Sequence, residues 1–321
     1  MNADQQLMTD VLALRRPARL PRSCWRMVEY RPEVYHLGEM DHVPAPGEVA
    51  VSADGTRRFT RDGGVWAVGD RQRYRTHEDV LAADSEEFEV ETVGPAMLET
   101  MARLTEEAGR SSFAWPLHYG TLVTRATIEF GWEPFLMAAA LDPRAFGRLL
   151  DRFGEASLAV IEGWAQTPGV ELIAVHDDIA ATRGPILTPG WLREYAFPWY
   201  ERLFAAIHAA GRKALYMCDG NYLPVLPDIL ATGPDGLYIE SSSMAPGAFM
   251  AAGGRERLYL IKTNNQAMDQ GPPEQVREEL LRLRDLHREY PGMMIYTGGG
   301  SPAPAAVEAF ERGYRELLTY G

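Results

Sequence analysis

Cysteine is almost absent from this chain: Cys24 and Cys218 are the two among 321 residues. Two thiols cannot build the disulfide framework of a small secreted scaffold, so a reducing cytoplasm is the expected setting. Positive charge is scarce as well. Lys and Arg total 32 against 45 Asp and Glu, a net charge of −13. Phosphate backbones are bound by clustered basic groups, so no nucleic-acid partner is expected. Long apolar runs are also missing. None approaches the roughly 20 residues of a membrane span, and the longest, residues 135–141, reads as a short core helix. The polar start Met1-Asn-Ala-Asp-Gln-Gln6 lacks the apolar segment of a secretory signal. What is present is an ordinary globular composition, 46% hydrophobic and 24% charged, in a length that α/β barrels use as one domain.

Two regions read differently along the chain. Residues 1–110 form an accessory segment with short strand-like runs at 48–52, 57–60 and 64–68. Asp54-Gly55 and Asp62-Gly63 between these runs signal tight hairpin turns, hence a β-meander. Residues 94–108 carry helical spacing at Met97, Met101 and Leu104. Residues 111–321 alternate strand-like and helix-like segments. Strands are expected at 112–116, 170–175, 213–217, 236–239, 258–261 and 293–296, with 20–25 as a further first strand. Amphipathic helices are expected at 143–164, 188–210, 224–230, 273–287 and 304–318. Strand–helix alternation predicts a parallel sheet with crossovers, here a (β/α)8 TIM-type barrel, regular or distorted, forming a single domain. The competing architecture, a doubly wound open sheet, favours a Gly-rich turn after its first strand, and none is present.

A barrel presents its chemistry at the carboxyl ends of its strands. Apolar strand positions give way abruptly to polar ones at five such ends. These are His176-Asp177-Asp178, Cys218-Asp219 with Asn221, Glu240, Lys262 with Asn264 and Asn265, and Thr297-Gly298-Gly299. Asp177 and Asp178 are adjacent and point apart, so at least one is expected to face the pocket and the other to cap a loop. Cys218 is either a small buried hydrophobe or a metal ligand. Glu240 and Lys262 form either a structural ion pair or one that tunes a pocket. The glycines after Thr297 are either a tight turn or an anion cradle at a helix start.

These residues resemble the uroporphyrinogen decarboxylase superfamily, which includes the methylcobamide:coenzyme M methyltransferases and related corrinoid-dependent demethylating enzymes. The likeness runs through Asp177-Asp-Ile-Ala-Ala-Thr-Arg-Gly-Pro-Ile-Leu-Thr-Pro189, residues 195–200, 214–221 and 226–235, then Asn265-Gln266, 271–279 and 297–310. It implies a (β/α)8 barrel, a corrinoid or methylcobalamin co-substrate, a corrinoid-protein partner and a homodimer. The departures are as informative. Thiol-methylating members hold zinc through His-x-Cys and a late Cys, and here those positions read Tyr216, Cys218 and Gly299. One ligand of three does not make that site, so zinc is not expected. Porphyrinogen decarboxylases carry an Arg-rich early segment, echoed only by Trp25-Arg26-Met27 and Arg31.

Three functions follow. The first is a corrinoid-linked methyltransferase or demethylase acting on an oxygen, nitrogen or carbon centre of a small molecule. Asp177 or Asp178 would then be general acid or base, Glu240 and Lys262 the pair that sets its pKa, and His176, Arg183, Tyr216, Asp219, Asn221, Asn264, Asn265, Thr297, Gly298 and Gly299 would bind substrate. The second is a decarboxylase of a small carboxylated substrate, with Lys262 gripping the leaving carboxylate. The third is a binding or assembly protein that kept the barrel without catalysis.

Overall fold

The computed structural model describes residues 3–24, 34–37, 49–51, 57–61, 64–68, 74–83, 95–110, 112–264, 266–297 and 303–320. Eight parallel strands close into a barrel in chain order. They are β1 Arg22–Cys24, β2 Val34–Leu37, β3 Phe113–Tyr119, β4 Leu172–His176, β5 Lys213–Met217, β6 Gly236–Glu240, β7 Leu258–Lys262 and β8 Met293–Thr297. The ring shuts where β1 pairs with both its sequence neighbour and the last strand, Ser23 opposite Val34 on one side and Tyr296 on the other. The (β/α)8 expectation therefore holds. One strand was not foreseen: β2 is four residues long and lies within the accessory segment, so the barrel takes two of its strands from before residue 111. The meander forms separately as an antiparallel three-stranded sheet of Val49–Val51, Arg57–Arg61 and Gly64–Val68.

Both faces of a barrel strand are buried, which is why these strands read as continuous apolar runs rather than alternating ones. Period two still sorts the side chains. Trp115, Leu117, Leu172, Ala174, Leu215, Leu260 and Met294 fill the interior, with Met8 and Val11 of helix Ala3–Leu12 in the same cluster. The alternate residues, among them Val175, Tyr216, Ile239, Ile261 and Ile295, pack outward with the helices. Two helices start at the caps their sequence marks, although the single helix expected over 188–210 is two, Pro189–Tyr195 and Phe197–Ala209. Asp142 caps Pro143–Gln166 by accepting from the amide of Ala145, and Thr188 caps Pro189–Tyr195 by accepting from that of Trp191. Gly154 allows the long helix to press against Trp199, whose indole would lie 2.2 Å from any added Cβ. Among the described residues no helix is long and apolar enough to cross a membrane.

Candidate active site at the barrel mouth

The end of β4 sets the site. Leu172, Ala174 and His176 share the inward parity, so His176 is the first polar side chain to face the barrel axis on this strand. It is 2% exposed and lies flat on Tyr119 at the end of β3, ring centroids 4.2 Å apart and planes 12° from parallel. Asp178 follows. Its backbone N–H donates to Thr124 Oγ1 at 2.7 Å, and its Oδ1 lies 3.4 Å from His176 Nε2. The same Oδ1 accepts the backbone N–H of Asp219 at 2.9 Å, and the Asp219 carboxylate comes to 4.0 Å from His176 Nε2. One donor atom each from His176, Asp178 and Asp219 lies within 4.8 Å of the others. Gly220 makes this possible: its missing side chain leaves room for the carbonyl of Ala180, which would sit 2.0 Å from a Cβ, and Asn221 N–H then donates to Ala181 O at 3.0 Å.

Across the mouth, Glu240 and Lys262 are register partners at the ends of β6 and β7. Lys262 Nζ lies 3.1 Å from each carboxylate oxygen of Glu240. Tyr238 O–H and Ser242 O–H also donate to that carboxylate, both at 2.9 Å. A pair this buried survives desolvation only when its remaining lone pairs are satisfied, and here they are. The negative charges of Asp219 and Glu240 add to burial in holding the Tyr238 phenol well above its ordinary pKa.

Asp177 belongs elsewhere. By parity it points out of the barrel, where it is fully buried. It accepts from the amides of Val123 and Thr124 at 3.1 and 2.7 Å and from Tyr200 O–H at 2.6 Å. It thus caps helix Val123–Phe130 from a distance, since the N-cap position itself is Leu122, with no side-chain oxygen to offer. Burial raises its pKa, and the three donors partly offset that. The expectation of a catalytic Asp177 is corrected: its oxygens are already used, on the wrong side of the strand. Its neighbour Asp178 is the member of the pair that faces the mouth.

Tyr216 and Cys218 are corrected on the same ground. Both are fully buried in the outer layer. Tyr216 O–H donates to Asp177 O at 3.2 Å, and burial pushes the Cys218 thiol pKa up, away from thiolate. These residues do not fit the family's thiolate zinc site, because the inward positions at this strand end are Met217 and Asp219. Asn221 and Asn264 spend their side-chain oxygens locally, on the amides of Leu223 and Ala267 at 3.2 and 3.3 Å. Thr297 is buried, with its hydroxyl 3.4 Å from Ser23 O. Arg183 is exposed in the turn of a hairpin pairing Ala180–Ala181 with Gly184–Pro185. Asn265, Gly298 and Gly299 lie outside the described residues. The sequence reading missed Tyr119 and Tyr238. It ended β3 at Pro116, but the strand runs on to Tyr119, and applying the strand-end rule to the true end would have found it.

A cavity of about 720 Å³ opens at the opposite end of the barrel, lined by Gln5, Arg103, Phe113 and Glu171. Its charged side chains are exposed, and its arginines pair along their own helix, Arg103 with Glu107 and Arg110 with Glu106. The buried polar convergence is at the mouth, and that is where chemistry is assigned.

Residues 83–311 match the family model described as uroporphyrinogen decarboxylase (URO-D). Comparison with the curated proteins gives no match. Among solved structures, a methyltransferase from Methanosarcina mazei is similar at 17% identity and TM-score 0.58, covering 84% of this chain and 75% of that one. A glycosylated endo-β-1,4-xylanase of glycoside hydrolase family 10 from Gloeophyllum trabeum follows at 12% identity and TM-score 0.44, covering 70% and 82%. At such identities the likeness is one of fold.

Proposed function

Because this chain belongs to the uroporphyrinogen decarboxylase family, we propose that it is an enzyme that moves a methyl group between an oxygen or nitrogen of a small molecule and a corrinoid co-substrate. The observation that carries this reading is the convergence of His176, Asp178 and Asp219 at the mouth, with the one described thiol facing away from it. A thiol acceptor asks for a thiolate-binding metal site, and among the described side chains no cysteine is placed for one. A methyl carbon leaving a heteroatom instead requires acid at that atom. The carbon–heteroatom bond breaks, its electron pair stays on the heteroatom, and positive charge must arrive there. The corrinoid, when bound, supplies the electron pair that takes the methyl carbon. The protein's part is to seat the substrate between the stacked Tyr119 and His176 and the Tyr238–Glu240–Lys262 cluster, with the acid centred on Asp178.

Decarboxylation fits the mouth less well. The lysine suited to grip a carboxylate is already neutralised by Glu240, and the carboxylates of Asp178 and Asp219 add negative charge across the mouth. The test is spectroscopic. Purified protein mixed with methylcob(III)alamin and oxygen- or nitrogen-centred acceptors is expected to bleach the methyl–cobalt absorption, and Asp178→Asn to abolish the change. Release of labelled carbon dioxide from candidate acids, without any cobalt signal, would transfer the assignment to a decarboxylase. Silence in both assays would favour a binding protein.

A further inference from the structure

We propose that His176, Asp178 and Asp219 form a binding site for one divalent transition-metal ion at the barrel mouth, distinct from the thiolate site of the family's zinc-dependent members. His176 carries the argument. Its ring is 98% removed from solvent, and Nδ1 has no hydrogen-bond partner. The other nitrogen, Nε2, points at two carboxylates, 3.4 Å from Asp178 Oδ1 and 4.0 Å from Asp219 Oδ1. Those separations are long for N–H···O bonds, which run at about 2.7–3.2 Å. The first falls within the spacing of atoms that share an ion, because two ligands each about 2.1 Å from a metal lie roughly 3.0–3.6 Å apart, and the second is within 0.4 Å of it. One imidazole nitrogen and two carboxylates converging on one point make the mixed donor set of a divalent transition-metal site.

Lys262 is held by Glu240, and among the described residues Asp178 and Asp219 make ion-pair contacts with His176 alone. Two carboxylates neutralise a dication, and one imidazole shifts preference from calcium and magnesium toward manganese, iron or zinc. Three protein donors leave coordination positions open. Asp219 is about half exposed, so the open side faces the mouth. The scaffold is built to hold the donors still. Thr124 fixes the Asp178 backbone, Asp178 Oδ1 fixes the Asp219 amide, and Tyr119 fixes the plane of the imidazole.

This inference rests on the proposed function only for what the ion does. The acid centred on Asp178 would then be the ion that Asp178 holds, a Lewis acid that accepts a lone pair of the leaving heteroatom and stabilises the charge left when the methyl carbon departs. The site itself is independent of that role.

The test measures binding rather than turnover. The full-length protein, stripped with EDTA, is titrated with manganese(II) chloride and followed by electron paramagnetic resonance and calorimetry, with zinc and calcium chlorides in parallel. One equivalent of manganese or zinc per chain is expected, with calcium weaker, and the unfolding midpoint should rise with metal. His176→Ala, Asp178→Asn and Asp219→Asn should each weaken binding by at least roughly tenfold, the loss caused even by an outer partner of a metal ligand. Their unfolding midpoints in EDTA should stay near that of the unaltered protein, which separates lost ligands from lost fold. Cys218→Ala should leave the stoichiometry at one. Absence of saturable binding, a site indifferent to the three substitutions, or a site lost with Cys218 would each overturn the proposal. Methyl transfer without any saturable metal binding would leave the proposed function standing and remove this site; tight metal binding without methyl transfer would do the reverse.

Discussion

Behind the barrel mouth lies a collar of side chains that belong to the same strands but point the other way, and the two regions use the same residue types to different ends. Asp178 and Asp177 show the contrast within one peptide unit. The mouth aspartate meets an imidazole and partial solvent. The collar aspartate is enclosed by two helix amides and a tyrosine hydroxyl. Tyr238 and Tyr216 repeat it one strand apart: the first donates to Glu240 beside the mouth, the second to the backbone of Asp177. Side-chain parity on a strand, and not chemical type, decides which group is free to react and which holds the wall in place.

Substitutions on the two sides of the strands put that division to the test. The largest effect is expected at the mouth. Asp178→Asn should lower methyl-transfer turnover by roughly 10²–10⁴-fold, the usual weight of an acid–base group, while shifting the thermal midpoint little. Asp177→Ala should do the opposite. It strands three donors in a dry pocket, a loss of about 3–5 kcal/mol in chemical denaturation. Equal effects of the two substitutions on activity would end the distinction between mouth and collar.

The collar should also set part of the acid limit of stability. His118 bonds Ser157 from the outward face of β3, and its pKa is lowered to about 4 by burial first, then by the charges of Arg125 and His176. A histidine depressed in the folded state and near 6.5 when unfolded contributes fully above about pH 6.5, and that contribution is lost as pH falls toward 4. At about 1.4 kcal/mol per unit the loss approaches about 3 kcal/mol. His118→Gln should flatten the curve in this window; a curve of unchanged slope there would place the titration elsewhere. The smallest effect is expected from Tyr200→Phe, which removes one of three donors to Asp177 and should cost about 1–2 kcal/mol without altering turnover. A change in turnover would mean that the collar reaches into the chemistry.

The barrel was legible because strand ends were marked by abrupt polarity, at His176, Glu240, Lys262 and Thr297, and because helix starts carried Pro143, Pro189, Pro273 and Pro304. The facing of those polar residues was not. Cys218 and Asp219, or Asp177 and Asp178, differ by one position, and a buried parallel strand gives no alternating pattern from which to count inward from outward. Nor did the sequence mark β2, whose four residues sit among turn-rich segments. Proline misled once. Pro116 reads as a strand end, but it stands in β3 opposite Leu37 and the strand continues.

The ring's closing seam joins residues that are far apart in the chain: Arg22 meets Ile295 and Cys24 meets Thr297. During synthesis, the first strand therefore waits for nearly the whole chain before its second neighbour exists. Contacts of such long sequence separation form late and slowly, and until then two raw sheet edges stand open to other chains. A nascent or truncated product that stops before Met293 would already hold every donor of the mouth cluster, yet have no finished wall on which to mount it.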